Sequence, residues 1–245
     1  MISLNNLGYR VNGQMILDGV DLKFNKGETF VIMGPSGCGK STLLRLMMGL
    51  IYPTSGWIEI SGTNTLNFTA AEWRQIRYKM GMVFQSAALF DSLTVYDNVA
   101  FGLRRKGIKE SKIRERVFYT LAIVGLDENV ATKKPADLSG GMKKRTAIAR
   151  AVAFEPPILL YDEPTTGLDP IIADTINELI KDLQTKLGVT SIVVTHDMMS
   201  ALKVADRVGL LLQGNLVEVR ERNQLNEATH PLLKQFLSNY RIETV

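Results

Sequence analysis

The chain has 245 residues, 45% hydrophobic and 22% charged, enough apolar material to bury a substantial core and too much for a disordered polypeptide. Its net charge of +4 is mild, and a single cysteine, Cys38, excludes an internal disulfide and fits a reducing compartment. No apolar run approaches the ~18 to 20 residues that span a bilayer, and no signal-peptide pattern is present at the N-terminus.

Strand and helix signals alternate almost end to end. Strands are expected near residues 19–24, 29–33, 81–84, 158–162, 191–195 and 208–213, with an early strand carrying Tyr9. A helical stretch at 41–50 follows a glycine-rich turn. Strand patterns vanish between 86 and 152, where 95–105, 111–124 and 140–154 read as helices and form an inserted lobe. The expected division is a core of 1–85 and 153–225, a helical lobe of 86–152 and a tail of 226–245. In the tail, Pro231 precedes an apolar stripe of Leu232, Leu233, Phe236, Leu237 and Tyr240, suited to docking on its own core, on a second copy or on a regulatory subunit.

Residues 34–41 read GPSGCGKS, a glycine, four residues, then Gly39, Lys40 and Ser41, between an apolar strand and a helix. Gly34, Gly37 and Gly39 let the backbone curl so that amide N–H groups face a phosphate, and the following helix aims its positive dipole end at the same point. The cradle comprises Gly34, Pro35, Ser36, Gly37, Cys38, Gly39, Lys40, Ser41 and Thr42. Lys40 is expected to reach the β- and γ-phosphates, and the Ser41 hydroxyl to ligate Mg²⁺. The alternative is a glycine-rich turn without a ligand, which four further segments argue against.

The strand run at 158–161 ends in Asp162 and Glu163. Ligands of parallel sheets sit beyond the carboxyl ends of strands, so both acids are expected beside the phosphate loop, Asp162 holding Mg²⁺ and Glu163 orienting or deprotonating a water. His196 closes another β-branched run and is placed to sense a γ-phosphate, whereas His230 reads as exposed. Alone, an acidic pair or a lone His after a strand is a solvated turn. The order of the segments points instead to binding and hydrolysis of ATP.

A second helix start with exposed backbone N–H groups lies at LSGGM, residues 138–142, where Ser139 is placed as N-cap before Gly140 and Gly141. This segment resembles the signature of the ABC ATPase family, with Met142 where that family carries Gln. The resemblance covers nearly the whole chain. It implies an α/β fold of the P-loop NTPase type, a RecA-like parallel-sheet core with an antiparallel β subdomain and an inserted helical lobe. It further implies ATP and Mg²⁺ as cofactors and a head-to-tail dimer in which Ser139, Gly140 and Gly141 of one copy cover the nucleotide of the other. By the same resemblance Tyr9 stacks on adenine, Gln85 approaches Mg²⁺ and the attacking water, and Asp169 crosses the dimer interface. From the residues alone, Tyr9 also suits packing, Gln85 a polar strand end and Asp169 a plain helix cap before Pro170.

Three longer runs, at 84–103, 138–151 and 161–171, resemble the ATPase subunits of Mla/Mce-type phospholipid transporters, down to the Met ending the signature. Other import families usually carry Gln in place of Lys one turn later. This narrower likeness implies a peripheral ATPase on the cytoplasmic face of the inner membrane, driving an integral permease alongside small regulatory and substrate-binding subunits. An importer of small polar solutes, a soluble ABC ATPase acting on nucleic acid or ribosomes, and a switch without turnover are the competing classes. The absence of a long coiled-coil insert or a second cassette argues against the soluble class, and Glu163 with His196 argues against the switch. The basic runs at 104–116 and 143–145 suit a solvated helix face, or else anionic headgroups or an acidic partner; without interleaved aromatics, nucleic acid is not expected. Leu89, Phe90, Leu93, Val95 and Tyr96 are candidates to line a groove for a permease helix, with core packing as the alternative.

Overall fold

The computed structural model describes residues 2–238. In chain order the first elements are β1 (Ile2–Val11), β2 (Gln14–Phe24), β3 (Thr29–Met33), α1 (Lys40–Met47), β4 (Ser55–Ile60), β5 (Thr63–Asn64) and α2 (Ala70–Arg77). Next come β6 (Met80–Val83), α3 (Val95–Arg105), α4 (Glu110–Ile123), α5 (Gly140–Val152), β7 (Ile158–Asp162) and α6 (Pro170–Leu187). The chain ends with β8 (Thr190–Thr195), α7 (Met198–Val204), β9 (Arg207–Leu212), β10 (Asn215–Glu221) and α8 (Pro231–Ser238). The chain falls into two compact units, Met1–Ile76 with Thr190–Val245, and Arg77–Val189.

In the first unit, β2, β1, β4 and β5 form an antiparallel sheet in that order. A second set of strands is mostly parallel: β3 lies between β8 and β9, parallel to both, and β10 pairs antiparallel with β9. Strands β3 and β8 are buried at every position and rich in β-branched residues, as strands covered on both faces must be. They are tied together at their entry by the Gly27 N–H donating to Thr190 Oγ1 at 2.9 Å, and by the Thr29 N–H donating to Asp206 Oδ2 at 2.7 Å.

The second unit joins the parallel pair β6 and β7 to the helices α3, α4, α5 and α6. Helix α6 shows how local signals set its limits. The Asp169 carboxylate accepts from the Ile172 N–H at 3.0 Å, Pro170 opens the helix, and Gly188 closes it in the left-handed conformation at φ 63°. Its buried side chains Ile176, Leu179, Ile180 and Leu183 recur at helical spacing. Helix α3 spans the limits expected from sequence, with Thr94 as N-cap, and α5 stops at Val152, two residues short of expectation.

Two expectations are corrected here. Val95 is wholly buried, so it belongs to the core and not to a surface groove. His230 is half-buried: its N–H donates to Glu218 Oε2 at 2.9 Å, and its Nδ1 accepts from the Leu232 N–H at 3.2 Å, where it opens α8. Of the tail stripe, Leu233 is buried, while Tyr240 lies outside the described residues.

Candidate functional site

In the first unit the chain leaves β3 at Met33 and curls through residues 34–39 into α1. Met33 is the register partner of Thr195 in β8, so Gly34 and His196 emerge from neighbouring strands at one carboxyl edge. Gly39 opens α1 at φ 109°, a conformation side-chain-bearing residues rarely adopt, and a Cβ there would press on Leu17 Cδ2 at 2.8 Å and the Ile16 carbonyl at 2.9 Å. A Cβ on Gly34 would run into the Leu211 carbonyl. Pro35, Ser36 and Gly37 are exposed, Gly34, Cys38, Gly39 and Lys40 are buried, and Ser41 and Thr42 are half-buried. The Lys40 ammonium donates to the carbonyls of Gly34 at 2.7 Å and Pro35 at 3.0 Å, so the loop wraps around its own cation. A phosphate at this helix start would meet a dipole, main-chain N–H groups and a fixed positive charge.

His196 is exposed at the end of β8. In the turn after it Asp197 caps α7 by accepting from the N–H groups of Met199 at 3.0 Å and Ser200 at 3.3 Å. Tyr9 is half-buried in β1 opposite Leu17 of β2, in the antiparallel sheet.

In the second unit Val83 of β6 is the register partner of Tyr161 of β7, so Gln85 and the acidic pair Asp162 and Glu163 leave adjacent strands at one edge. Both acids are buried, at 7% exposure each, and Glu163 takes a left-handed backbone at φ 47°, strained for a residue other than glycine. Glu163 Oε2 accepts from the Thr166 hydroxyl at 3.1 Å. Gln85 is exposed. Such an arrangement can hold a water for attack, with the carboxylate oriented by its hydroxyl donor.

The signature segment starts α5 as expected, with Ser139 accepting from the Met142 N–H at 3.3 Å. Gly140 is exposed, but Gly141 is buried, where a Cβ would meet Ile172 Cγ2 at 2.7 Å. Gly141 therefore permits close approach of α5 to the start of α6, a packing duty the sequence did not reveal. Asp169 is the N-cap of α6.

Ser41 and Asp162, the expected Mg²⁺ ligands, are hard oxygen donors, and Gln85 offers an amide oxygen. Among the described residues no group of three or more His, Cys, Asp or Glu side chains is arranged to hold a metal.

One of the two basic runs is corrected. The run at 143–145 is no solvated face: Lys144 is 4% exposed, and Arg145 reaches the Val124 carbonyl. Lys144 donates to the carbonyls of Gln85 at 2.5 Å and Glu163 at 3.3 Å. Burial pushes its ammonium down to about 8, against the pull of Asp162 and Glu163. The basic residues of the run at 104–116 are exposed apart from the half-buried Arg116, as on a solvated helix face, and four of its arginines lie over rings outside the run: Arg104 over Tyr96, Arg105 over Phe101, Arg114 over Phe118 and Arg116 over Tyr119. Sequence spacing could have flagged Lys144, since it shares a helical stripe with the buried Gly141, Ala147, Ile148 and Ala151. Asn98, fully buried in α3, was also missed.

A glycine-rich loop from a parallel strand into a helix whose first residue is a buried lysine defines a P-loop nucleoside triphosphatase. The family model described as "ABC transporter" matches residues 17–166. The chain belongs to that family and is an ATP-hydrolysing subunit of an ABC transporter. It is 41% identical to the "probable ribonucleotide transport ATP-binding protein mkl" of Mycobacterium bovis, over 98% of this chain and 67% of that one. It is 39% identical to the "intermembrane phospholipid transport system ATP-binding protein MlaF" of Haemophilus influenzae, over 97% of this chain and 90% of the relative. Among solved structures it is similar to a dimeric post-hydrolysis state of the ATP-binding cassette MJ0796 bound to ADP and Pi, with a TM-score of 0.83 and 36% identity, covering 91% of this chain and 99% of that one. Among the described residues no helix is long and apolar enough to cross a membrane.

Proposed function

We propose that this subunit powers movement of phospholipid between membranes through a permease formed by other chains, at the cytoplasmic face of the inner membrane. The observation that carries the reading is the near end-to-end likeness to a phospholipid-system relative, joined to the signature LSGGM with its terminal Met142. ATP is bound by residues 34–42, with Lys40 exchanging its loop carbonyls for the β- and γ-phosphate oxygens and Tyr9 stacking on the base. By the family resemblance Ser41, Asp162 and Gln85 would hold Mg²⁺, which would neutralise phosphate charge. Glu163 takes a proton from a water whose oxygen forms the new bond to the γ-phosphorus as the bond to ADP breaks, releasing inorganic phosphate. His196 donates to the γ-phosphate. A second copy closes head to tail, its Ser139, Gly140 and Gly141 covering the nucleotide and its Asp169 lying at the interface, so that binding energy is spent on a closed state and hydrolysis releases it. Dimeric MJ0796 supports that assembly.

The test is reconstitution. The chain copurified with its permease, placed in liposomes, is expected to move phospholipid to an acceptor bilayer only with ATP. Glu163→Gln should keep ATP binding while turnover and lipid transfer fall by ~10² to 10⁴. Movement of an amino acid or polyamine without lipid would overturn the lipid reading and leave the ATPase standing. Near-normal turnover in Glu163→Gln would remove that residue from the base role.

A further inference from the structure

Four main-chain carbonyls in the second unit are held by two cations of one helix. Lys144 of α5 donates to Gln85 and Glu163, and Arg150, two turns along, donates through Nη1 to the Ala88 carbonyl at 2.7 Å and through Nη2 to the Ala87 carbonyl at 2.9 Å. Three of those four residues, Ala87, Ala88 and Glu163, have left-handed backbones at φ 63°, 48° and 47°. Non-glycine residues persist in that region only where surrounding contacts over-determine them. A carbonyl turned by such a backbone must find a donor, or lose a hydrogen bond if buried. The donors here come from the helix that opens with the signature segment.

We propose that Lys144 is a positioning residue for ATP hydrolysis: it ties the main chain of Gln85 and of Glu163 to the signature helix, so that the attacking-water machinery is oriented as one body with the segment that covers nucleotide. The inference rests on the reading of Glu163 as the base. An ammonium suits the task because it carries three donors on a flexible stem, and can serve two carbonyls that approach from different strands, β6 and β7. Arg150 holds the next turn of the same loop, which keeps the Gln85 segment from drifting when the Lys144 bonds are tested singly. Lys144 itself is buried, and its bond to the Glu163 carbonyl is buried while that to Gln85 is part-buried, so at Glu163 water is a poor substitute for the lost donor.

The experiment uses the full-length chain copurified with its membrane partner, measuring ATP turnover, KM for ATP, affinity for a fluorescent ATP analogue and the melting temperature. Lys144→Met, which keeps the stem and removes the donors, is expected to lower kcat about tenfold with KM and analogue affinity within about twofold. Lys144→Gln, one bond shorter and able to reach one carbonyl, should lower kcat about threefold with the same unchanged affinity. In a Glu163→Gln background Lys144→Met should leave the residual turnover within about twofold, because its effect runs through Glu163. Wild-type kcat in Lys144→Met would overturn the proposal. So would a loss in which affinity and kcat fall together and Gln restores nothing, or a further tenfold loss in the Glu163→Gln background. Should Lys144→Met fail to fold, a wild-type kcat in Lys144→Gln overturns it instead. Failure of the base reading is separately visible, as normal turnover in Glu163→Gln alone.

Discussion

Asn98 offers the sharpest test of how the loop after Gln85 is held. Its side chain is wholly buried at the end of the first turn of α3, where Oδ1 accepts from the Phe90 N–H at 2.8 Å. Its Nδ2 lies 2.9 Å from the Thr94 carbonyl, 3.1 Å from that of Phe90 and 3.3 Å from that of Leu93. An amide has two N–H groups, so two of these contacts are full bonds and the third is shared. Asn98→Ala removes about three bonds at once, each worth about 1 kcal/mol net, and the expected loss is about 3 kcal/mol. For a chain of this size that corresponds to a fall in melting temperature of roughly 6 to 12 °C. Asn98→Asp keeps the acceptor for Phe90 but turns a carboxylate oxygen toward three carbonyls, so it should cost more than Ala at neutral pH. Calorimetry on the purified chain, with denaturant unfolding as a second measure, reads both. A drop below about 2 °C for Asn98→Ala would refute the reasoning, since it would mean the loop carbonyls find water as readily as the amide. A milder loss in Asp than in Ala would refute the assigned orientation of the amide.

Gly39→Ala should weaken ATP binding more than tenfold and cost about 1 to 3 kcal/mol of stability, because φ 109° strains any residue with a Cβ and the added methyl meets Leu17 and Ile16. Fluorescent-analogue titration and thermal melting check it, and unchanged binding would count against the loop geometry. Acid should loosen the C-terminal clasp at Glu218. Burial raises the pKa of this carboxyl, but the N–H groups of Thr229 and His230, with Arg220 and the Thr229 hydroxyl, outweigh it and hold the group at about 2, below its ordinary 4.5. The folded value is depressed, so the stabilisation is complete above pH 4.5 and is lost as pH falls from there through about 2, an effect of about 1 to 2 kcal/mol after discounting for nearby solvent. Glu218→Gln should be less stable at neutral pH and show a shallower acid loss over that window in denaturant melts; parallel pH profiles would contradict the clasp.

Much of the fold was legible because its signals are local. The phosphate loop needs glycines at set positions, and GPSGCGKS has them; the buried strands β3, β7 and β8 are short runs dominated by apolar and β-branched residues; Thr94, Ser139 and Asp169 cap the helices they precede. Each signal acts within a few residues, through backbone sterics or one side chain bonding its own turn, so it can be read without knowing what lies across the fold. Other features depend on neighbours distant in sequence. Lys144 looked like part of a solvated basic run, yet its partners are 59 and 19 residues away. The backbone N–H of Gly141 is legible in sequence, its making room for Ile172 is not; of the groove and core alternatives for Val95 the structure takes the core; and His230, expected exposed, has its backbone N–H held by a carboxylate in β10. Whether a polar group is buried with partners or left to water is settled by desolvation against hydrogen bonds made across the fold. That balance is a property of packed tertiary structure, and short stretches of sequence do not carry it.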